Sequence, residues 1–303
     1  MLRSLLLFLS ERETPKNFLT HSSLGRKLAR RYIAGEEIDD AVRAVRELTA
    51  QGFAATLDHL GESVNAMRDA EEACQVYLGL LDRLASEGIP SHISIKLTQL
   101  GLAIDEASAL QHVKSLVERA ARYRNFIRID MEGSAYTDAT LRVFRAAKAP
   151  SDVLGIVIQS YLYRSEKDVD ELLAGGSRIR LCKGAYKEPR EVAFPRKADV
   201  DANYIKLMQK LLRSGHYQAI ATHDDRMIAA TREFAAAHRI SSDRFEFQML
   251  YGIRRRLQRE LLRQGYRVRL YVPYGSQWYP YFMRRLAERP ANVFFLMRNL
   301  IRR

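Results

Sequence analysis

The sequence predicts a single (β/α)₈ barrel preceded by a short helical arm, with the arm at residues 1–50 and the barrel at residues 51–303. Three observations predict it. Short β-rich runs recur from Gly52 onward, eight in all. A longer amphipathic stretch follows each run, and no break in composition interrupts the alternation. A doubly wound sheet, the competing fold, would carry fewer strands and a glycine-rich first turn, and the chain has no G-x-G-x-x-G.

The strand runs are Phe53–Asp58, His92–Leu97, Phe126–Glu132, Ile156–Tyr161, Arg178–Lys183, Gln218–Thr222, Phe245–Leu250 and Arg267–Val272. Between and after them, helical spacing covers Ala70–Glu87, Glu106–Arg122, Tyr136–Ala147, Glu166–Leu173, Ala202–Arg213, Arg226–His238, Arg254–Gln264 and Trp278–Glu288. Residues 1–47 read as helical, with Val42, Val45 and Leu48 at helical spacing and no strand signal, which sets the arm apart.

Side chains alternate between the two faces of a strand. Ile93, Ile95 and Leu97 therefore oppose Ser94 and Lys96, and Ile127, Ile129 and Met131 oppose Arg128, Asp130 and Glu132. The apolar sets suit the helices outside. The last inward residue of each strand then forms a ring at one mouth: Asp58, Lys96, Asp130, Gln159, Arg180, Thr222, Gln248 and Tyr271. Inward charges cost free energy unless paired or bound to a ligand, and active sites of this fold sit at the C-terminal mouth. A satisfied network such as Lys96 with Asp130 accounts for one residue of the ring more easily than for all of them.

The last helix carries a second signal. Tyr281, Arg284, Arg285 and Glu288 share a face at i, i+3, i+4 and i+7. Two neighbouring guanidinium forks suit a carboxylate or phosphate, and Glu288 can fix one of them. An amphipathic helix packed on the barrel explains the charges but not the tyrosine among them. Lys183-Gly184-Ala185 closes strand five where a backbone and a lysine can approach a phosphate or a flavin ring. Thr222 and His223 close strand six and could hold a pyrophosphate.

Other features exclude more than they assign. Cys74 and Cys182 form no motif, and no His/Asp/Glu spacing suits a metal, so no metal is expected. No apolar run reaches the ~20 residues of a membrane span, and the leading Leu5–Leu9 segment lacks a cleavage site, which predicts a cytoplasmic protein. The net charge of +13 is spread along the chain without a nucleic-acid-binding signature. It fits a basic solvated surface or peripheral contact with an anionic membrane. Two other readings compete for the charged mouth: an aldolase-type barrel with Lys96 or Lys183 as a Schiff-base amine, and a basic protein that binds nucleic acid or lipid.

Eight segments together resemble the proline dehydrogenase family. They are LDHLGE (57–62), ISIKLTQLG (93–101), IRIDME (127–132), IVIQSYLYRSEKD (156–168), RLCKGAYKE (180–188), ATHD (221–224), FEFQMLYG (245–252) and YVPYGSQWYPYFMRRLAER (271–289). The likeness is to the short monofunctional bacterial enzymes. It implies a (β/α)₈ barrel that holds FAD and oxidises L-proline to Δ1-pyrroline-5-carboxylate by hydride transfer to flavin N5, with electrons passed to a membrane quinone. By the same resemblance Arg284, Arg285 and Lys96 grip the substrate carboxylate, and Tyr271, Tyr281 and Leu250 wall its ring. Asp130 is the acid of strand three beside substrate and flavin, and Glu288 and Glu62 support the clamp. Met131, Gln159, Arg180, Lys183, Gly184, Ala185, Arg196, Thr222 and His223 are the matches for FAD, with Arg180 by flavin N5. Tyr271 matches the residue of proline-specific members, which implies that 4-hydroxyproline is the poorer substrate.

Overall fold

In a parallel barrel each strand is covered on one face by helices and on the other by the opposite strands, so the outward face must be apolar throughout. Ile93, Ile95, Ile127, Ile129, Ile179 and Leu181 meet that demand, and all are fully buried. The structure is a computed structural model that describes Gly25, residues 29–61 and residues 64–288, the last two without their side chains. Its strands are β1 (Ala54–His59), β2 (Ser91–Ile95), β3 (Ile127–Ile129), β4 (Leu154–Gln159), β5 (Arg178–Cys182), β6 (Gln218–Ala221), β7 (Phe245–Leu250) and β8 (Arg267–Tyr274). All neighbours are parallel, and β8 pairs back onto β1 to close the barrel. The helices are α1 (Ile38–Ala50), α2 (Met67–Ser86), α3 (Glu106–Arg122), α4 (Thr137–Ala146), α5 (Ser165–Ala174), α6 (Lys197–Arg213), α7 (Asp225–Ala237), α8 (Arg255–Arg263) and α9 (Trp278–Glu288). The predicted (β/α)₈ fold is the fold observed.

The two outermost helices depart from simple alternation. α1 buries Ala41, Val42, Ala44, Val45 and Leu48 in the same core as the strands and packs against β1 and β8. That is the place beside the closing strands where an eighth helix would lie. α9 instead joins a separate apolar cluster with Tyr32, Ile33, Leu60 and Ile253, against which Leu250 packs. Leu60 and Ile253 follow the C-terminal ends of β1 and β7, so α9 lies over the mouth. The helix is amphipathic and packs on the barrel as expected, but at its rim and not on its outer wall. Trp278, Tyr279, Tyr281, Phe282, Met283 and Leu286 are all buried, because the helix is covered by the barrel rim on one side and by the 29–33 segment on another.

The strand register settles which side chains share a layer. Ala221 pairs with Gln248, and Leu250 with Tyr271. Leu250, not Gln248, is therefore the rim residue of β7. Gln248 sits one layer lower, where its Nε2 donates to Glu246 Oε1 at 2.5 Å. Thr222 follows the last paired residue of β6 with the opposite alternation, and its Oγ1 accepts the Asp224 N–H at 3.0 Å. It is a turn residue rather than an inward strand residue.

The lower layer is a buried ion pair. Arg269 Nε donates to both Glu246 oxygens, at 2.9 and 3.0 Å, and its Nη1 to Ala55 O at 2.7 Å. Arg128 Nη1 donates to Ile156 O at 3.2 Å. The close fit needs Gly155, where an added Cβ would fall 2.6 Å from both Arg128 Nη1 and the Phe126 ring. This layer is filled, so the barrel is a packed core with no passage through it, and the mouth is closed off from the lower end.

Candidate active site

At the mouth, five strands bring six polar or charged groups to a common point. Asp130 follows β3 and is its centre. Its Oδ1 accepts from Ser94 Oγ at 2.7 Å and from Arg180 Nη1 at 2.8 Å. Its Oδ2 accepts from the Tyr271 hydroxyl at 2.8 Å and lies 3.5 Å from Lys96 Nζ. Lys96 in turn donates to Asp58 Oδ1 at 2.8 Å and to the Tyr271 hydroxyl at 3.2 Å. Two cations and two carboxylates thus interlock, with side chains between 1% and 14% exposed.

The electrostatics follow from that geometry. Burial disfavours the Asp130 carboxylate, but Lys96, Arg180 and the bonds from Ser94 and Tyr271 outweigh it and hold its carboxyl below the usual carboxylate range. Burial, helped by the negative charge of Asp130, pushes the Tyr271 phenol well above its ordinary value. At neutral pH Asp130 is therefore an acceptor and Tyr271 a neutral donor. His59, behind Asp58, is lowered by burial and by Lys96.

Sequence reasoning placed Asp58 on the rim but not in the site, and it missed Ser94. Both were legible: Asp58 ends an inward alternation, and Ser94 is two residues before Lys96 on the same face. The proposed substrate residues come together only in part. Leu250 is next to Tyr271 in the register, and α9 brings Tyr281, Arg284 and Arg285 over the same mouth. Arg285 lies 5.1 Å from the Tyr281 ring centroid, a cation–π contact, and both arginines are half-buried. The side chain of Glu288, and all of Glu62, lie outside the described residues.

The residues matched to a flavin occupy the opposite side of the mouth, along β4, β5 and β6. Gln159 Nε2 donates to the carbonyls of Met131 and Glu132, at 2.7 and 2.9 Å, while its Oε1 is buried without a partner among the described residues. Arg180 Nε is likewise buried and unpartnered. A lone acceptor and a lone donor at one mouth fit a heterocycle that offers both. Gly184 has φ +110°, and a Cβ there would fall 2.6 Å from the Tyr161 ring, so the chain turns closely over that ring at the end of β5.

Three further matches are already engaged. Lys183 Nζ contacts Asp201 Oδ1 at 2.5 Å and Asp224 Oδ2 at 2.7 Å. His223 Nε2 accepts the Leu250 N–H at 2.9 Å, which leaves Nδ1 as its donor. Arg196 caps the start of α6, is 78% exposed, and pairs with Asp199 at 2.7 Å. Ala185 is exposed in the following loop. No group of His, Cys, Asp or Glu suited to a metal occurs among the described residues.

Comparison with known proteins converges on one family. The model named "Proline dehydrogenase" matches residues 41–298. The chain belongs to the proline dehydrogenase family. It is 42% identical to proline dehydrogenase 1 of Bacillus subtilis subsp. natto over the full length of both chains. It is 43% identical to the proline dehydrogenase of Deinococcus radiodurans over 91% of this chain and 90% of that one. Among solved structures it resembles proline utilization A from Bdellovibrio bacteriovorus inactivated by N-propargylglycine, with a TM-score of 0.82 and 26% identity. That likeness covers 87% of this chain and 33% of the other, so the chain spans about a third of that longer protein.

Proposed function

We propose that the chain oxidises L-proline to Δ1-pyrroline-5-carboxylate with FAD bound at the barrel mouth and a membrane quinone as electron acceptor. Membership of the family is the observation that carries this reading, and the buried, unpartnered Gln159 Oε1 and Arg180 Nε at the mouth support it. FAD supplies the acceptor for a hydride from the ring carbon next to nitrogen, chemistry that no side chain can perform. The chain's contribution is binding, orientation and exclusion of water.

Gln159, Arg180, Met131, Gly184, Ala185, Lys183, Thr222, His223 and Arg196 are the residues proposed to hold the cofactor. Arg284, Arg285 and Lys96 are proposed to bind the proline carboxylate, and Leu250, Tyr271 and Tyr281 to fix the ring. Pinning one end of a small molecule with guanidinium forks and its ring with rigid side chains removes its rotational freedom, which is worth several kcal/mol of barrier. Asp130 holds Arg180, Ser94 and Tyr271 in place. Kept as a carboxylate, it orients rather than supplies a proton. The substrate nitrogen has to be neutral for its lone pair to expel the hydride, and a cationic clamp at the carboxylate disfavours a second positive charge nearby.

The Schiff-base reading is weakened by the same geometry. Lys96 and Lys183 each stand in an ion pair with a carboxylate, whereas such an amine must be neutral to attack. The excess of basic residues and the quinone acceptor support peripheral contact with the inner face of the membrane, and no helix among the described residues is long and apolar enough to cross one.

An anaerobic visible spectrum tests the proposal. The purified protein is expected to show a flavin spectrum that bleaches on addition of L-proline. A protein that neither carries nor takes up FAD, or a flavin that ignores proline, overturns it.

A further inference from the structure

The end of the barrel opposite the mouth carries a second constellation that proline oxidation does not use. The loops entering β4, β5, β6 and β7 and the first residues of β2, β5 and β8 line an open cavity of about 590 Å³. Arg178, Arg244, Arg267 and Arg269 all line it. Arg269 is neutralised by Glu246. Among the described residues none of Arg178, Arg244 and Arg267 has a carboxylate within the 4.0 Å of an ion pair, although Arg244 donates to the Gly215 carbonyl, Arg267 bonds to the Tyr217 hydroxyl and Asp243 faces both from further out. Asp152 is the one acid in the lining.

Arg178 is held in position with no carboxylate in contact, and Glu246 and Asp152 offset its charge only from a distance. Its guanidinium lies between two rings, 4.4 Å from the centroid of Phe126 and 4.8 Å from that of Tyr217. Its Nε is buried and has no hydrogen-bond partner among the described residues. Arg267 lies 5.7 Å from the same Tyr217 ring. The field of these groups is felt by His92, also in the lining, which burial first and then Arg269, Arg178 and Arg128 push well below its ordinary value. A neutral imidazole beside unpaired guanidinium forks offers the mixed donor and acceptor set that a partly protonated oxyanion takes up. Clustered unpaired arginines repel one another, so a bound polyanion relieves a cost the apo fold carries.

We propose that this cavity binds a small, multiply charged phosphate group, as inorganic phosphate, pyrophosphate or a compact phosphate monoester. The proposal is independent of the reaction at the mouth. Arg244 and Arg267 are exposed, so the double variant R244Q/R267Q removes two of the three unpaired charges without opening the core. The FAD-loaded protein is titrated calorimetrically with phosphate, pyrophosphate and glycerol phosphate in turn, at constant ionic strength, while flavin absorbance is followed. Saturable one-site binding of at least one of them is expected, at least fivefold weaker in R244Q/R267Q and tighter in D152N, with the flavin spectrum unchanged. The tightest of the three identifies the source of the phosphate. Absence of saturable binding, a loss under fivefold in the double variant, weaker binding in D152N, or displacement of flavin by the anion overturns the site.

Discussion

Asp130→Asn tests the electrostatic core of the mouth most directly. Asp130 is the sole carboxylate within ion-pair distance of Arg180 among the described residues, whereas Lys96 keeps Asp58. A unit charge pair at about 4 Å is worth about 4 kcal/mol at an effective dielectric of about 20, and removing one partner of a buried pair typically costs 3–5 kcal/mol. The amide leaves one oxygen for Ser94 and Arg180, and the Tyr271 hydroxyl can turn to accept from the new NH₂, so the lower end applies, about 3 kcal/mol. For a chain of 303 residues that is a fall in Tm of about 5 °C. The sign of the pH dependence is fixed independently. Asp130 is held below its ordinary value near 3.8. The stability it contributes is then complete above that value and is lost as pH falls through the lower folded value. The Tm gap between wild type and Asp130→Asn should be widest at neutral pH and narrow progressively below about pH 5. Differential scanning calorimetry from pH 8 to about pH 2.5 measures both. A gap under 2 °C at pH 7, or one that widens on acidification, would refute the assignment of Asp130 as the charged centre of the network.

Three other outcomes follow from the site. Arg284→Lys or Arg285→Lys should raise KM for proline at least tenfold, since an ammonium cannot reproduce a bidentate fork; steady-state kinetics showing a rise within about threefold, under 1 kcal/mol, removes the carboxylate clamp. Tyr271→Ser should lower the ratio of kcat/KM for proline over 4-hydroxyproline while Tyr271→Phe retains the ring contact, and an unchanged ratio in the serine variant places that side chain outside the ring pocket. Gly184→Ala has to accommodate φ +110° and a Cβ 2.6 Å from the Tyr161 ring, so the purified variant should carry much less flavin per chain by absorbance than wild type; full occupancy would separate this turn from the cofactor.

Local signals were most legible where they did not depend on distant partners. Glu106–Arg122 was bounded correctly because Asp105 caps the helix, its Oδ2 accepting the Ser108 N–H at 2.7 Å. α6 begins at Lys197, five residues ahead of the predicted Ala202, because its polar first turn is anchored from elsewhere. Asp201 is 3% exposed there, and its partner Lys183 is the residue just after β5. β3 stops at Ile129 instead of Glu132 because the carbonyls of Met131 and Glu132 take the Gln159 side chain in place of a neighbouring strand. β8 runs past Val272 through Pro273, which reads as a strand end. The β7 ladder has ended at Tyr271 by then, so no strand on that side requires the missing N–H, and the Pro273 carbonyl accepts from Ala34 at 2.9 Å.

The position of α9 was the part that periodicity could not supply, and it is the part on which the proposed chemistry depends. A helix lying on the barrel wall would present one apolar face and direct its arginines into solvent. α9 has two surfaces to cover, the rim and the 29–33 segment, so its apolar residues spread over a broad arc and leave Arg284 and Arg285 half-buried beside it. α1 fills the wall beside β1 and β8, and with that wall covered the eighth helix is free to lie across the mouth. Arg284 and Arg285 then stand half-buried over the Asp130 cluster's end of the barrel instead of on the surface. An anion held there meets guanidinium groups with little competing water, where each charge-assisted bond is worth about twice a neutral one. On this reasoning α1 acts on substrate affinity without touching substrate. Val45→Asp, which puts an unpaired charge into the α1 packing face, should loosen α9 and raise KM for proline before the barrel itself unfolds, and steady-state kinetics compared with far-ultraviolet melting separates the two effects. An unchanged KM in a folded Val45→Asp protein would show that α9 holds its place without α1.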